Sequence, residues 1–501
     1  MSMASVATGE SPRPRSMWRT VASVVAVFLA VWVVAVLYWK TTYHVPTGRD
    51  LLLYGLALPA LLAAGVIAAR RALSAPASPR PAAAAQTAGA PAGVSANEVA
   101  MQHWTTALLD SSLRLPAGIT PDEVADAARA AGVIGLHDEL ARQDGVKVFA
   151  GGVAALAPGR FDDDLLPDGS THALQDEHRR ALLLAADTLD ELMERQAVQL
   201  GDADDDAPAH NASGARDARD ALSFRLHLLI PKRWQPVAPT LAAWLDAHIA
   251  RERWMPRMER MPPVSVADPV QALTVLDELS VALRQQPVTT RHVVLALDSS
   301  LGQQTVDTLD NLGQLYEQKH PDGHVLGEGA CALLLAHPAA AGMVPVAHIH
   351  RLVSAPLAGP IEQTAQQRGD TVTRLLDAAC AQATQAAVPG LEIASCALVS
   401  DADQRISRRA EVTSVVEAKW PDGDSGTETA ATSETAAHGL HLGFANGESN
   451  AVLALSAVAV AGAHSLAEQQ PTFAVTTADA NARGVMLVSL PPVEQAVALS
   501  A

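Results

Sequence analysis

The chain has 501 residues, enough for two or three domains of average size or for one large layered domain. Its formal net charge of −18 at pH 7 argues against a sequence-independent grip on nucleic acid, because phosphate binding depends on clustered lysine and arginine. Three cysteines without metal-ligand spacing exclude a disulfide framework and favour a reducing compartment. No metal and no cofactor is predicted.

Two apolar segments near the N-terminus predict a membrane hairpin, with residues 18–39 as the first helix and residues 51–69 as the second. Each is long enough to cross about 30 Å of hydrocarbon. A cleavable signal peptide is the alternative for the first segment, but its apolar core exceeds the usual ~7–15 residues and a second span follows. Arginines flank the hairpin on its outer ends, so residues 1–17 and the chain after the hairpin are predicted to be cytoplasmic. Residues 40–50 then form a periplasmic loop, and the partner is the lipid bilayer of a bacterial inner membrane.

A linker and one large soluble domain are predicted after the hairpin. Residues 70–97 are rich in alanine and proline without an apolar period, which is typical of a semi-rigid spacer. The domain then covers residues 98–501, in halves of about 98–340 and 341–501. Its first segment, residues 98–144, is interpreted as mostly helical because it contains a clear helix start signal.

Beyond residue 144, short β-branched segments alternate with long helices rich in alanine and leucine, which is typical of an α/β fold. In the first half, strands are predicted at residues 146–152, 224–231 and 292–300, and helices at residues 178–200 and 269–284. The same alternation continues in the second half as far as residue 490.

The most informative stretch is residues 292–338, which has a buried strand, a polar turn, a helix and a glycine-rich loop that leads into another buried strand. The loop consists of Gly327, Glu328, Gly329 and Ala330. This arrangement resembles the β-ketoacyl synthases of the thiolase superfamily. Glycine permits close approach of backbones, and Glu328 is expected to accept backbone amides or to pair with a basic side chain.

Two later segments continue the resemblance in the same order. Residues 396–412 are similar to the family's strand that ends in Ser-Asp, and residues 441–461 to the stretch with a catalytic histidine, a turn and an alanine-rich helix. The resemblance implies a duplicated thiolase-like αβαβα layered fold, preceded here by two transmembrane helices. It also implies a homodimer, since such proteins commonly pair their edge strands.

The sequence departs from the family at the catalytic positions. The family's nucleophilic cysteine should lie before a buried helix, where the helix N-terminus lowers the pKa of the thiol, but residues 264–270 read VSVADPV. Cys331, Cys380 and Cys396 are predicted to be core residues. No catalytic residue is therefore assigned.

The family's histidine positions are altered as well. Residues 400–404 read SDADQ where a histidine turn is expected. His438, His441 and Asn446 lie near the second histidine position and are the candidates for a degenerate site.

The leading hypothesis is a non-catalytic, membrane-anchored scaffold or accessory protein with protein partners, possible subunits of a type VI-like secretion machine. The alternative is a membrane-associated acyl-thioester enzyme or an acyl-carrier-binding module. A buried tunnel that ends at a cysteine or at a Ser–His pair would favour the enzyme, and a closed cavity filled by side chains would favour the scaffold.

Overall fold

A computed structural model describes most of the chain after residue 100. The described residues are 101–130, 134–154, 156, 160–167, 174–205, 222–251, 258–340, 344–357, 363–386, 388, 391–421 and 439–491. All of them belong to the unit Val94–Ala501. The predicted transmembrane helices, the linker and His438 lie outside the described residues, so the predictions for them stay predictions.

The described residues form an α/β fold with a 14-stranded sheet. The strands are β1 (Thr105–Arg114), β2 (Gly135–Ala141), β3 (Lys147–Gly151), β4 (Ser223–Pro231), β5 (Met258–Arg260), β6 (Val264–Val266), β7 (Thr290–Ser299), β8 (Leu326–Ala336), β9 (Ala347–His350), β10 (Val353–Pro356), β11 (Ala397–Ser400), β12 (Gly439–His441), β13 (Thr472–Thr476) and β14 (Ala482–Ser489). The helices are α1 (Pro121–Arg129), α2 (Asp176–Asp205), α3 (Ala238–Arg251), α4 (Pro269–Leu283), α5 (Gln303–Asn311), α6 (Ala365–Ala386), α7 (Ile406–Lys419), α8 (Gly443–Asn446) and α9 (Asn450–Glu468).

The order of the strands brings distant parts of the chain together. The path through the sheet runs β12-β11-β13-β14-β9-β1-β8-β7-β4-β5, with β6 also paired to β4. β4 and β7 are parallel, whereas β7 and β8 are antiparallel. The ends of β4 and β7 and the start of β8 therefore lie at one edge.

Helices cover both faces of the sheet and fill a central layer. In the first half, Val294 of β7 belongs to the central hydrophobic cluster with α4 and α9, while Leu295 packs against α2 and α3. In the second half, Ala474 of β13 faces the central cluster, while Phe473 packs against α6 and α7. Neighbouring residues of a strand point to opposite faces, so each strand serves two layers. This arrangement confirms the prediction of a layered α/β fold.

Helix α9 lies at the middle of the central layer. It is the one helix among the described residues that is long and apolar enough to cross a membrane. Most of it is buried inside the protein, as is expected for a helix that packs on several sides.

The interpretation of residues 98–144 as mostly helical is wrong. β1 and β2 lie in this segment, and α1 is the one named helix among its described residues. β1 is paired on both sides, with β8 and β9, and its residues contribute to clusters on both faces. A strand buried on both faces has no apolar alternation, so β1 carries no local strand signal, while the start signal of α1 indicates a helix.

The turn before α9 depends on a glycine. Gly447 has φ +72° and ψ −168°, a conformation that is almost confined to glycine. A β-carbon there would also collide with the carbonyl oxygen of Leu326 and with the backbone of Gly327. The turn and the start of β8 are thus packed backbone to backbone.

We expect Gly447→Ala to lower the free energy of unfolding by about 3 kcal/mol or more, because strain and collision act together. Gly313→Ala is the matched control, since Gly313 also has a positive φ, +62°, but has open space around it. Strain alone should cost the control about 1–2 kcal/mol. Urea denaturation of both variants measures the difference. Equal losses of unfolding free energy in the two variants would show that the collision does not contribute to the destabilisation.

Candidate functional site

The position expected for a nucleophile is occupied by a helix cap. Between β6 and α4, the Asp268 carboxylate accepts a hydrogen bond from the Gln271 amide at 2.8 Å. The Gln271 side chain in turn accepts one from the Ala267 amide at 2.8 Å. Asp268 and Pro269 are typical cap and first-turn residues, so this helix start is built for stability.

The three cysteines are buried in other elements of the fold. Cys331 lies in β8, Cys380 in α6, and Cys396 directly before β11. Burial raises the pKa of the Cys331 and Cys396 thiols to about 12, and burial also raises the pKa of Cys380. These thiols have little thiolate character near neutral pH.

The candidates His441 and Asn446 make structural contacts. His441 Nδ1 and the Ser400 hydroxyl are 2.8 Å apart, and burial lowers the pKa of this histidine to about 4. The buried Asn446 side chain accepts from the Ala117 amide at 2.9 Å and donates to the Leu442 carbonyl oxygen at 2.7 Å. The contacts of His441 with Ser400 and of Asn446 with Ala117 connect the segment before α9 to neighbouring elements.

The SDADQ turn begins with a buried carboxyl group. Asp401 Oδ1 accepts from the Thr477 and Ala478 amides at 2.6 and 3.1 Å. Burial raises the pKa of Asp401 to about 6, and these two amides oppose that rise. The residue fixes the end of β11 against the segment after β13.

The segment Gly327 to Ala330 lies within β8 and is not a loop. A β-carbon on Gly327 would approach the Asn446 carbonyl oxygen to 2.7 Å, which explains the missing side chain. The fully buried Glu328 accepts from the Val153 amide at 2.8 Å and from Arg180 Nε at 2.8 Å. Glu328 thus accepts a backbone amide and pairs with a basic side chain, both of which the sequence suggested.

A charged cavity of about 170 Å³ lies at the edge where β4 and β7 end and β8 begins. Four charged or titratable side chains line it: Arg233 after β4, Asp298 near the end of β7, His324 before β8 and Glu448 before α9. Arg233 is paired with the Asp298 carboxylate and donates to the Ser299 carbonyl oxygen at 2.8 Å. His324 Nδ1 is hydrogen-bonded to Glu448 Oε2.

The histidine and the glutamate of this cavity stabilise each other's charged forms. The hydrogen bond with Glu448 raises the pKa of His324, although burial acts in the opposite direction. Burial alone would raise the pKa of Glu448, but His324 and the Arg405 charge outweigh it and hold that pKa well below its ordinary value. Glu448 is therefore ionised near neutral pH. Its partner His324 is hydrogen-bonded to this carboxylate through Nδ1, as in an oriented acid–base histidine.

A second ion pair, between Arg405 and Asp403, places a positive charge near the Glu448 carboxylate. Arg405 Nε donates to Asp403 Oδ1 at 2.9 Å, and Arg405 Nη2 lies 3.8 Å from Glu448 Oε2. The backbone amide of Glu448 also donates to the Val325 carbonyl oxygen at 2.9 Å. These contacts fix the carboxylate so that it orients the imidazole of His324.

Sequence reasoning missed these four residues of the cavity. Each lies within two positions of the end of β4 or β7 or of the start of β8 or α9, which is where α/β folds place ligand sites. They are separated by as many as 215 positions along the chain, from Arg233 to Glu448, so only the order of the strands brings them together.

No family model and no curated protein matches the chain. Solved structures do match it. The ishigamide ketosynthase/chain length factor gives a TM-score of 0.50 at 16% identity and covers 77% of this chain and 99% of its own. A structure of AntDE:AntF, a type II PKS acyl-carrier protein in complex with its ketosynthase bound to the hexaketide, gives 0.50 at 12% identity, with 78% and 100% covered. At these identities the similarity shows the fold alone, which is the thiolase-like ketosynthase fold.

The prediction that the chain is not an enzyme is wrong. Its structural neighbours are ketosynthases, so its fold is that of an enzyme family. The missing cysteine before α4 excludes a thiolate at that one point only. Acid–base chemistry needs no thiol, and the charged cavity carries groups suited to it.

Proposed function

We propose that this chain is a membrane-associated enzyme that acts on acyl thioesters by acid–base chemistry. One observation carries the proposal: His324 is held by the ionised Glu448 and lines a cavity at the edge of a ketosynthase-like fold. The similarity to ketosynthases suggests the thioester as the substrate class. The His–Glu pair suggests how the reaction proceeds without a cysteine.

Hydrolysis is the reaction that such a pair supports without a further reactant. Glu448 holds Nδ1 of His324, which leaves Nε2 to accept a proton from water. The water oxygen then bonds to the thioester carbonyl carbon, the carbon–sulfur bond breaks, and the leaving thiolate takes the proton from His324. Arg233, paired with Asp298 at the same cavity, supplies positive charge near the developing oxyanion.

Thiol release from a panel of acyl-CoA thioesters, with the full-length protein in detergent, tests this function. We expect turnover that falls about 100-fold or more in His324→Asn, in line with the usual contribution of a general acid–base group. Replacing Cys331, Cys380 and Cys396 together with alanine should leave turnover in place. Loss of turnover in the cysteine variant, or no turnover on any thioester, would contradict the proposal. Binding of acyl carrier protein without turnover would favour the carrier-binding alternative.

Membrane attachment is the second part of the proposal. The predicted helices at residues 18–39 and 51–69 would hold the enzyme at the bilayer, with its domain in the cytoplasm, where acyl chains are at hand. Carbonate extraction of membranes tests this, with a chain lacking residues 1–97 as the control. We expect the full chain in the pellet and the shortened chain in the supernatant.

The remaining partner predictions stay predictions. A homodimer would use the edge of the sheet at β5 and β6, and sedimentation of the purified protein tests it. A part in a type VI-like secretion machine is tested by an affinity pull-down with and without residues 1–97.

A further inference from the structure

A second cavity, which we call the aromatic cavity, lies beside the charged one and differs from it in chemistry. It has a volume of about 240 Å³ and a mainly apolar lining. Val325 lines both cavities, so they share a wall. His324 and Glu448 do not line the aromatic cavity. A ligand in the aromatic cavity would therefore not contact the two residues of the proposed reaction.

Three aromatic rings give the aromatic cavity its shape. Phe149 and Tyr316 meet edge to face, with ring centres 5.4 Å apart and planes at 88°. Phe444 contributes the third ring. Aromatic rings arranged in this way favour a flat aromatic guest, which can stack on one ring and meet another at its edge. The volume is below the ~300–1,000 Å³ of drug-sized sites, so the guest must be small.

Two polar groups add specificity. Arg409 is exposed, and its guanidinium carbon lies 5.5 Å from the centre of the Phe444 ring. In the part of the chain that the structure describes, no carboxylate forms an ion pair with Arg409. The side-chain oxygen of Gln404 is buried and has no hydrogen-bond partner among the described residues. A guest should therefore bring a negative charge and a hydrogen-bond donor.

We infer that the aromatic cavity is a binding site for a small aromatic anion. The ring of the ligand lies among Phe149, Tyr316 and Phe444, its anionic group pairs with Arg409, and a hydroxyl group donates to Gln404. This site goes beyond the proposed reaction. It also adjoins the charged cavity, because Gln404 stands between Asp403 and Arg405, which support Glu448.

Calorimetric titration of the full-length protein in detergent with hydroxynaphthoate tests the site, with detergent alone as the blank. Titration with its uncharged analogue hydroxynaphthamide measures how much the negative charge contributes to the affinity. We expect saturable binding of the acid, and weakening by about tenfold or more in Arg409→Gln, since a hydrogen bond to a charged group contributes ~1.5–3 kcal/mol. The amide should bind the natural protein and Arg409→Gln equally.

Two control variants test whether binding of the acid depends on this cavity alone. Arg374→Gln removes an exposed arginine of α6 that does not line the cavity, and should leave the affinity unchanged. His324→Asn, which alters the proposed reaction, should also leave the affinity for hydroxynaphthoate unchanged. Equal binding of acid and amide, or an Arg409→Gln variant with full affinity, would overturn the inference whatever the outcome for thioester turnover.

Discussion

Replacing Glu411 with glutamine is expected to lower the free energy of unfolding by about 3–5 kcal/mol, the usual cost of leaving buried charges without a partner. Glu411 is fully buried and lies among three arginines. Its Oε2 is 2.9 Å from Arg368 Nε, 3.0 Å from Arg483 Nη2 and 3.5 Å from Arg408 Nη1. The amide would keep the shape of the side chain and remove the one charge that the three guanidinium groups share.

Urea denaturation measures this loss, which is a large share of the ~5–15 kcal/mol of a typical domain. Glu417→Gln is the matched control, because Glu417 lies exposed on the same helix and its removal should change stability by less than ~0.5 kcal/mol. Adding Arg368→Gln to Glu411→Gln should recover part of the loss, since one unpaired charge is removed with it. Similar stabilities of Glu411→Gln and Glu417→Gln would show that the arginines are stabilised by other groups.

Acidification from pH 6.5 to pH 5 is expected to remove several kcal/mol of stability, comparable with the whole stability of a domain. Burial lowers the pKa of six histidines to about 4: His178, His227, His292, His348, His350 and His441. In the unfolded chain a histidine titrates near 6.5. Between pH 6.5 and 4 the unfolded chain therefore binds more protons, and stability falls as the pH falls.

Five groups act in the opposite direction but are outnumbered, and two of them are Asp246 and Asp479, whose pKa values burial raises. Burial raises the pKa of Asp401 to about 6 and also raises the pKa of Asp298, and Glu448 raises the pKa of His324. Each of these binds its proton more tightly in the folded chain and favours folding as the pH falls. The six buried histidines therefore set the sign of the net slope.

Urea midpoints at half-unit steps of pH measure the slope. His227 stacks on His292, with Nε2 and Nδ1 2.7 Å apart, so a proton added to this pair places a charge in a buried site. His227→Gln should reduce the slope by up to ~1.4 kcal/mol per pH unit, the value for one proton. Replacing the exposed His320 with glutamine should leave the slope unchanged. A flat profile between pH 6.5 and 5 would contradict the prediction.

Local signals were enough to predict much of the fold. Helix α4 was predicted at residues 269–284 and found at Pro269–Leu283, because the cap at Asp268 and the proline after it are encoded side by side. The buried strands β7 and β8 likewise stand out as apolar segments between polar turns. Such features need no knowledge of what lies across the sheet.

The site required information that local patterns do not hold. His324 and Glu448 form a pair across 124 positions of sequence. Both lie in segments that carry the family resemblance, residues 292–338 and 441–461, but nothing in either segment predicts that the two side chains meet. The segment that contains β1 was misinterpreted for the same reason, since its extended form depends on pairing with β8 and β9. Contacts between residues far apart in sequence determine both the site and the extended form of β1. Patterns in a single sequence indicate only the local conformation of neighbouring residues.

The burial of α9 has a consequence for synthesis on the ribosome. The inner faces of β7 and β8 rest on a helix that emerges more than a hundred residues after β8 is complete. Until then, the part of the apolar surface of β7 and β8 that α9 covers is exposed in the nascent chain, and α9 itself is long and apolar enough to span a bilayer. A chain truncated before residue 450 would therefore keep that apolar surface exposed and would depend on chaperones to avoid aggregation.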